Sequence, residues 1–436
     1  MATTLRDSIA RAVVAACCFT GLWGAEPAGH PYAGAQACAE CHETKFSQQS
    51  RSGHARSLHR ADEHPLAASF VTKKPLRREP GYEFVFSRTP DGLRVRASSA
   101  GDVMEMGIDW AFGAGEQGIT FVTRGNQEWY LEHSFSYFTG PQSFARTPGH
   151  EGPAETLPQA VGILYNIASA ESGILQCFKC HSTGPVALGA GRAIHPLEPG
   201  VRCESCHGPG RKHIEAMRRG DLENGFKEIG NPGRLSANGL GEHCGACHRP
   251  PEPDVTVDWK DPWNTRHSPV YLVQSRCFQR SDGRLSCLTC HDPHAPLRRD
   301  EPAYYARKCS ACHETPRHSH VNFAKTGAAD CTGCHMPKVQ PHPYLQFTNH
   351  WIGVFRDGGP LLQQQFLDRL HDGFSIKLPP CSSACTTVAA LQPRRTNGKR
   401  LSRPYVVNSI LSWRNCGGLS RSRATRHFGH MSLEPA

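Results

Sequence analysis

The stretch Cys331-Thr332-Gly333-Cys334-His335 decides how this chain folds, because its arrangement occurs seven times. Each copy has two cysteines separated by two residues, and a histidine directly after the second cysteine. We number the copies motif 1 to motif 7 in chain order. The six earlier copies are Cys38, Cys41 and His42; Cys177, Cys180 and His181; Cys203, Cys206 and His207; Cys244, Cys247 and His248; Cys287, Cys290 and His291; and Cys309, Cys312 and His313. This pattern is the signature of covalent c-type haem attachment.

The spacing within a motif has a chemical reason. Two intervening residues bring both thiols to one edge of a porphyrin, where each can bond a vinyl group. The residue that follows directs its imidazole to the iron as the proximal ligand. We therefore expect haem c as the cofactor, in about seven covalent copies. The seventh set of ligands is Cys331, Cys334 and His335.

Zinc binding is the alternative interpretation of the paired cysteines. Eighteen residues separate Cys290 from Cys309, and eighteen separate Cys312 from Cys331, which is typical of zinc ribbons. A zinc ribbon does not require a histidine directly after the second cysteine, whereas all seven motifs have one. The sequence therefore favours haem over zinc.

The N-terminus is typical of an exported protein. Arg6 and Arg11 precede an apolar run from Ala12 to Trp23, which ends in Gly24-Ala25, as in a secretory signal peptide. Val14-Ala15-Ala16-Cys17 resembles a lipoprotein cleavage box, so lipidation is the alternative for this end. No later stretch has the apolar length of a membrane span. We expect a periplasmic or secreted protein with no transmembrane span after signal cleavage.

The composition favours a haem-rich fold over a conventional core. Hydrophobic residues make up 38% of the chain, with 42 Gly and 33 Pro, which is apolar-poor for a protein of this size. The predicted fold class is haem-rich and mostly irregular, with short α-helices around seven c-type haems and a small antiparallel β insert. The formal net charge is +10, but residues 357–436 carry most of it. Because propionates would offset the remainder, a nucleic-acid partner does not follow.

Composition and motif positions predict five segments. In the third, Tyr82, Phe84 and Phe86 alternate before Pro90-Asp91-Gly92, which predicts a β-hairpin. This insert either caps a haem or shapes a docking surface. The segments are a signal peptide (1–25), a first-haem segment (26–80), a β-rich insert (81–140), a six-haem cytochrome domain (141–356) and a basic, disordered tail (357–436).

Histidines outside the motifs are the candidates for the sixth iron ligand. The chain has 25 His and only six Met, so mostly bis-His coordination is expected, which favours lower potentials than Met/His coordination. A surface histidine is the alternative for each one. The candidate distal ligands are His54, His150, His213, His243, His294, His318, His342 and His350.

Several stretches resemble the exported multihaem c-type cytochromes related to the tetrahaem cytochrome c of the nitrifier hydroxylamine pathway. They are Tyr32-Ala33-Gly34-Ala35-Gln36-Ala37-Cys38, Ser52-Gly53-His54-Ala55, Cys203-Glu204-Ser205-Cys206-His207-Gly208-Pro209-Gly210, Cys290-His291-Asp292-Pro293-His294 and Cys334-His335-Met336-Pro337-Lys338. The resemblance covers about residues 31–355. It implies closely stacked haems that form an electron wire, with distal histidines supplied from elsewhere in the chain.

The expected function is electron transfer, with redox proteins as partners: other cytochromes or quinol-linked membrane complexes. The alternative is an oxidoreductase that acts on nitrite or hydroxylamine at a five-coordinate haem. That chemistry needs an open iron with donors placed over it, and no spacing in the sequence singles out such residues. Catalytic residues are therefore not assigned.

Overall fold

The computed structural model describes residues 30–126, 128–168, 172–251, 263–313, 330–356 and 359–360. The predicted signal peptide, nearly all of the predicted tail and the candidate ligand His318 lie outside these residues. Within the described ranges, no helix is long and apolar enough to cross a membrane.

In the described residues the helices are short, and half of the twelve begin or end at a motif. Motif 1 lies inside the longest, where His42 has non-helical backbone angles (φ −118°, ψ 39°). The helices are α1 (Ala35–Gln49), α2 (Leu157–Val161), α3 (Gly173–His181), α4 (Cys203–His207), α5 (Arg211–Arg218), α6 (Leu222–Lys227), α7 (Ala237–His248), α8 (Ser268–Leu272), α9 (Arg276–Gln279), α10 (Cys287–Cys290), α11 (Pro302–Ser310) and α12 (Cys331–His335).

The strands form two antiparallel sheets and three two-stranded hairpins. They are β1 (Leu58–Arg60), β2 (Leu76–Arg78), β3 (Tyr82–Thr89), β4 (Gly92–Ser98), β5 (Val103–Gly107), β6 (Trp110–Phe112), β7 (Gly118–Arg124), β8 (Trp129–His133), β9 (Phe135–Phe138), β10 (Ser143–Arg146), β11 (Gly162–Asn166), β12 (Ser182–Leu188), β13 (Ile194–Pro199), β14 (Lys338–His342), β15 (Leu345–Thr348), β16 (Phe355–Arg356) and β17 (Gly359–Pro360).

The two sheets pack face to face into a sandwich. The smaller has the order β2-β3-β4-β5, and the larger runs β1-β6-β7-β8-β11, with β9 joined to β7 and β10. Phe84 and Phe86 from the smaller sheet meet Phe121 and Phe135 from the larger one in a buried aromatic core. Burial of such rings is the main favourable term in folding this region.

The predicted hairpin is confirmed. Strands β3 and β4 pair in the register Thr89↔Gly92 and Phe86↔Val95, around the turn that Pro90-Asp91-Gly92 predicted. The expectation of a mostly irregular fold with a small β insert is wrong in extent, because strands run from residue 58 to residue 199. Trp110–Phe112 and Phe135–Phe138 are buried at every position, so they lack the alternation by which strands are recognised.

The opposite face of the larger sheet positions motif 2. Trp110 and Phe112 of β6 contact Phe178 of α3 edge to face, with ring centroids 5.3 and 5.0 Å apart. Helix α3 carries Cys177, Cys180 and His181 at its C-terminal end. The sandwich therefore serves as a rigid base for one attachment motif.

Candidate functional site

A cavity of about 4310 Å³ lies among the motif-bearing helices. Six motifs contribute to its wall, and motif 1 lies outside the lining. A pocket for one small ligand measures roughly 300–1,000 Å³, so this cavity has the volume of several such pockets. Close packing of protein interiors leaves few voids larger than a water molecule. The cavity is thus large enough to hold several large groups.

Motif 1 lies away from the cavity, whereas the sequence led us to expect every haem to be part of the core. Its predicted attachment residue Cys41 is exposed, as is His42, whereas Cys38 is half-buried. None of these three residues lines the cavity. Helix α1 contacts motif 3 through Cys38, and the second cysteines Cys206, Cys247, Cys312 and Cys334 are exposed like Cys41. Haem attachment at Cys41 stays a prediction.

Helical structure within a motif turns its three functional side chains to one side. In α4 and α12 the two cysteines stand three residues apart and the histidine stands four residues after the first cysteine. Residues at these spacings share one face of an α-helix. The motif cysteines are unbridged where the structure describes them, so both thiols of a motif are available for attachment from one side.

Backbone carbonyls fix the orientation of three motif histidines. Nδ1 of His181 lies 3.1 Å from the Ser57 carbonyl, that of His207 lies 2.8 Å from Gly230, and that of His335 lies 2.7 Å from Gly353. Such a bond from Nδ1–H selects the tautomer whose Nε2 is a free lone-pair donor. These imidazoles are therefore prepared to bind a metal through Nε2.

Three predicted distal histidines lie opposite motif histidines. The ring centroids are 6.0 Å apart for His54 and His248, 6.0 Å for His207 and His294, and 6.2 Å for His291 and His350. A ligating imidazole nitrogen lies about 2 Å from its metal, so ligands on opposite faces of one ion have ring centres roughly 6 Å apart. Each pair has the separation that one bis-His iron requires.

The outer nitrogens of these pairs support the same arrangement. Nδ1 of His350 lies 2.9 Å from the Thr348 carbonyl, and Nδ1 of His294 lies 3.2 Å from Asp292 Oδ1. Both contacts leave Nε2 for a metal. The stretch Cys290-His291-Asp292-Pro293-His294 consequently contributes to two motifs. His291 belongs to motif 5, and His294 faces the histidine of motif 3.

Desolvation favours the neutral form, which binds metals, in four of the paired histidines. Desolvation lowers the pKa of His248 to about 4 and that of His350 to about 4. The same cause lowers the pKa of His54 and His291. Because a protonated imidazole cannot ligate iron, the depressed pKa favours coordination.

The structure does not bring every predicted distal ligand to a motif histidine. His243 lines the cavity, and His213 directs Nδ1 to the Gly225 carbonyl at 2.8 Å. His342 instead stacks on Phe138, with centroids 4.8 Å apart. His150 also lines the cavity. Its Nε2 is buried without a hydrogen-bond partner and lies 3.7 Å from Glu132 Oε2.

One cavity histidine was missed by the sequence analysis. His267 lines the cavity and interacts with the backbone of His248, and burial lowers its pKa to about 4. It stands in Arg266-His267-Ser268-Pro269, far from any motif along the chain. Offset from a motif was the signal used to select candidates, so a ligand contributed from a distant loop could not be recognised.

Thiols of different motifs meet, and their contacts give the spatial order of the attachment sites. Cys38 lies close to Cys203, Cys180 to Cys247, Cys244 to Cys287 and Cys309 to Cys331. Cys206 also acts electrostatically on Cys244, and Cys290 on Cys309. The motifs are therefore ordered 1-3-4-5-6-7 in space, with motif 2 beside motif 4.

Residues 147–208 match the family described as cytochrome c554 and c-prime. The matched segment contains motifs 2 and 3. The match supports a multihaem c-type cytochrome. A solved structure described as the outer cell wall cytochrome OcwA is 16% identical, with 74% of this chain and 80% of that chain covered and a TM-score of 0.43. No curated protein matches the chain.

The donor set fits haem c. Each described motif offers two unbridged thiols and one imidazole, and three motifs have a second imidazole at the separation of an axial pair. Among the described residues, no group of three or more His, Cys, Asp or Glu side chains is arranged to hold a metal ion by itself. The fit is to a group that brings its own iron and supplies four of its six ligands.

Proposed function

We propose that this chain is an exported electron carrier with about seven covalently attached, mostly bis-His haems, related to the tetrahaem cytochrome c of the nitrifier hydroxylamine pathway. Haem, when bound, supplies an iron that gains and loses one electron. The observation that carries the proposal is the set of three opposed histidine pairs around one cavity.

The chain's own residues account for the properties that a carrier needs. With haem bound, each pair of imidazoles would hold one iron between them, which would keep small molecules from binding and would leave the ligands unchanged on oxidation and reduction. The carbonyls of Ser57, Gly230 and Gly353 hold motif imidazoles in one orientation. Fixed ligands leave little to rearrange when the charge on an iron changes.

The contacts between motifs support transfer within the chain. Cysteines of motifs 1 and 3, 4 and 5, and 6 and 7 lie close to one another in pairs, so the attachment edges of neighbouring haems would also lie close together. Motif 4 has neighbours on three sides, namely motifs 2, 3 and 5. We infer a path with a side branch at motif 2, open to redox proteins at its ends.

The test is a redox titration of protein matured in a host that attaches haem c and exports the chain. Low-spin EPR signals throughout, reversible reduction and no response of the reduced spectrum to carbon monoxide support the carrier. A substantial high-spin signal that shifts with nitrite or hydroxylamine contradicts it. Fractionation of the same cells tests the periplasmic or secreted location.

A further inference from the structure

Motif 1 stands apart from the others in two respects. It lies outside the lining of the large cavity, and 134 residues separate it from motif 2 in the chain. Its position beside motif 3 must therefore come from non-covalent contacts. We propose that Glu204 is the positioning residue that docks the helix of motif 1 on motif 3, with Arg211 as its counterpart.

Glu204 is a buried carboxylate with three backbone donors. It stands between the two cysteines of motif 3, and only 3% of its surface is exposed. Oε1 accepts hydrogen bonds from the Ala33 N–H at 2.9 Å and the Gly210 N–H at 2.6 Å, and Oε2 accepts from the Gly34 N–H at 2.8 Å. Charge-assisted bonds of this kind are about twice as strong as neutral ones. A buried carboxylate with such partners is well satisfied.

The helix that carries motif 1 lacks a cap of its own. Gly34 is its N-cap residue and has no side chain, and the first turn contains no acidic residue. The N–H groups at a helix start need acceptors, and a negative charge there is stabilising. Glu204 supplies this charge from across the chain, and Glu198 Oε2 accepts from the Ala35 N–H at 3.3 Å.

Arg211 holds the carbonyls of the same segment. Its side chain donates to the backbone oxygens of His30 and Tyr32, the latter at 3.0 Å, and its own N–H donates to Pro31 at 3.1 Å. The Glu204 carboxylate thus accepts hydrogen bonds from the amides of residues 33 and 34, while the Arg211 side chain donates to the carbonyls of residues 30 and 32. Together Glu204 and Arg211 clamp residues 30–34 against motif 3.

The sequence of motif 3 is suited to this clamp. Gly208 has a φ of +76°, which lets the chain turn back after His207, and the amide of Gly210 then reaches Glu204. A Cβ on Gly210 would lie 3.2 Å from Glu204 Oε1. The run Cys206-His207-Gly208-Pro209-Gly210 therefore closes around the carboxylate.

The charge of Glu204 also acts on both attachment edges. Glu204 and Glu198 lie close enough to the neighbouring Cys38 and Cys203 thiols for their charges to act on both. A fixed negative charge near an iron stabilises its oxidised form and lowers its reduction potential. Since the proposed carrier needs motif 1 in contact with motif 3, this role of Glu204 rests on the proposed function.

The test compares E204Q with E215Q in the matured protein. Glu215 lies on α5 close to motif 3 in sequence and is exposed, so it serves as the matched control. The E204Q substitution keeps the size of the side chain but removes its charge. We expect at least tenfold faster hydrogen exchange in E204Q at residues 33–38 and an upward shift of the affected reduction potentials. The haem count and the exchange of the β-sandwich stay unchanged, and E215Q alters none of these.

Unchanged exchange at residues 33–38, or unchanged potentials, in E204Q would overturn the proposal. If E204Q does not mature, R211A decides: faster exchange confined to residues 30–38 supports the clamp, and unaltered exchange refutes it. A wild-type protein that binds haem but cannot be reduced reversibly would contradict the proposed electron carrier. Hydrogen exchange does not depend on that result, so failure of the carrier proposal and failure of the Glu204 proposal can be distinguished.

Discussion

The β-sandwich and the motif-rich region after residue 200 are stabilised in different ways. The sandwich has a continuous core in which Phe70, Phe84, Phe86 and Phe121 are almost completely buried. In the described part of 201–356, the buried apolar cluster consists of Val270, Tyr271 and Trp351. Most of the wall of the large cavity comes from this second region.

The difference predicts where covalent haem takes the place of side chains in the core. Burial of apolar area contributes about 25 cal/mol per Å², and the sandwich obtains it from its own aromatic residues. The second region has few such residues to bury and instead surrounds a cavity with thiols and imidazoles. We therefore expect the sandwich to fold without haem and the second region to require it.

The largest effect is expected when no haem is attached. Protein produced in a host that lacks cytochrome c maturation should keep a protease-resistant fragment within residues 58–199, while residues 201–356 are digested. Limited proteolysis with mass spectrometry measures both. Equal resistance of the two regions, or loss of the sandwich first, would break the comparison.

The next largest effect is the loss of a single haem. Cys331→Ser combined with Cys334→Ser should remove one haem mass and lower the melting temperature, because motif 7 and its hairpin are held at the cavity wall. His335 binds the Gly353 carbonyl, and Asn349 N–H donates to Pro337, so the disturbance should centre on 330–353 and reach motif 5 through His350. An unchanged haem stain and melting curve would show that motif 7 is idle.

A core substitution in the sandwich should destabilise the sandwich and leave haem attachment unchanged. Phe121 is fully buried and contacts Phe70 and Phe86, so Phe121→Ala should lower the free energy of unfolding of the sandwich by about 3–5 kcal/mol. The haem count should stay the same. Denaturant titration followed by tryptophan fluorescence, with haem absorbance read in parallel, measures the two effects separately. A change in the haem absorbance in parallel with unfolding of the sandwich would contradict independent stabilisation.

The smallest expected effect is spectroscopic. His294→Ala should open the iron opposite His207, which adds one high-spin signal and one carbon monoxide site with little change in stability. His342→Ala is the control, because His342 stacks on Phe138, and it should leave all spectra unaltered. Equal spectra for the two variants would contradict the pairing of His207 with His294 as ligands of one iron.

The sequence predicted the attachment chemistry better than the architecture around it. The seven motifs and the hairpin around Pro90-Asp91-Gly92 follow from local patterns, and such patterns can be recognised in one sequence. Buried strands such as Phe135–Phe138 carry no alternation, so the full sandwich was not predicted. Pairings such as His54 with His248 join residues almost two hundred positions apart, and no local spacing encodes them.

The contact between motif 1 and Glu204 likewise joins residues that are distant in sequence. In the sequence, Glu204 lies between the two cysteines of motif 3, and Gly34 stands four residues before motif 1. Neither pattern alone revealed that the carboxylate caps the distant helix, or that Cys41 is left exposed. The first relation became visible only from the hydrogen bonds of Ala33 and Gly34 to Glu204.

Denaturing mass spectrometry of the matured protein tests the central claim most directly. Covalent haem survives unfolding, so the mass excess over the processed polypeptide counts the attached groups. The seven motifs predict an excess of seven haem masses. A protein that carries zinc, or one with three or fewer haems, would contradict the account.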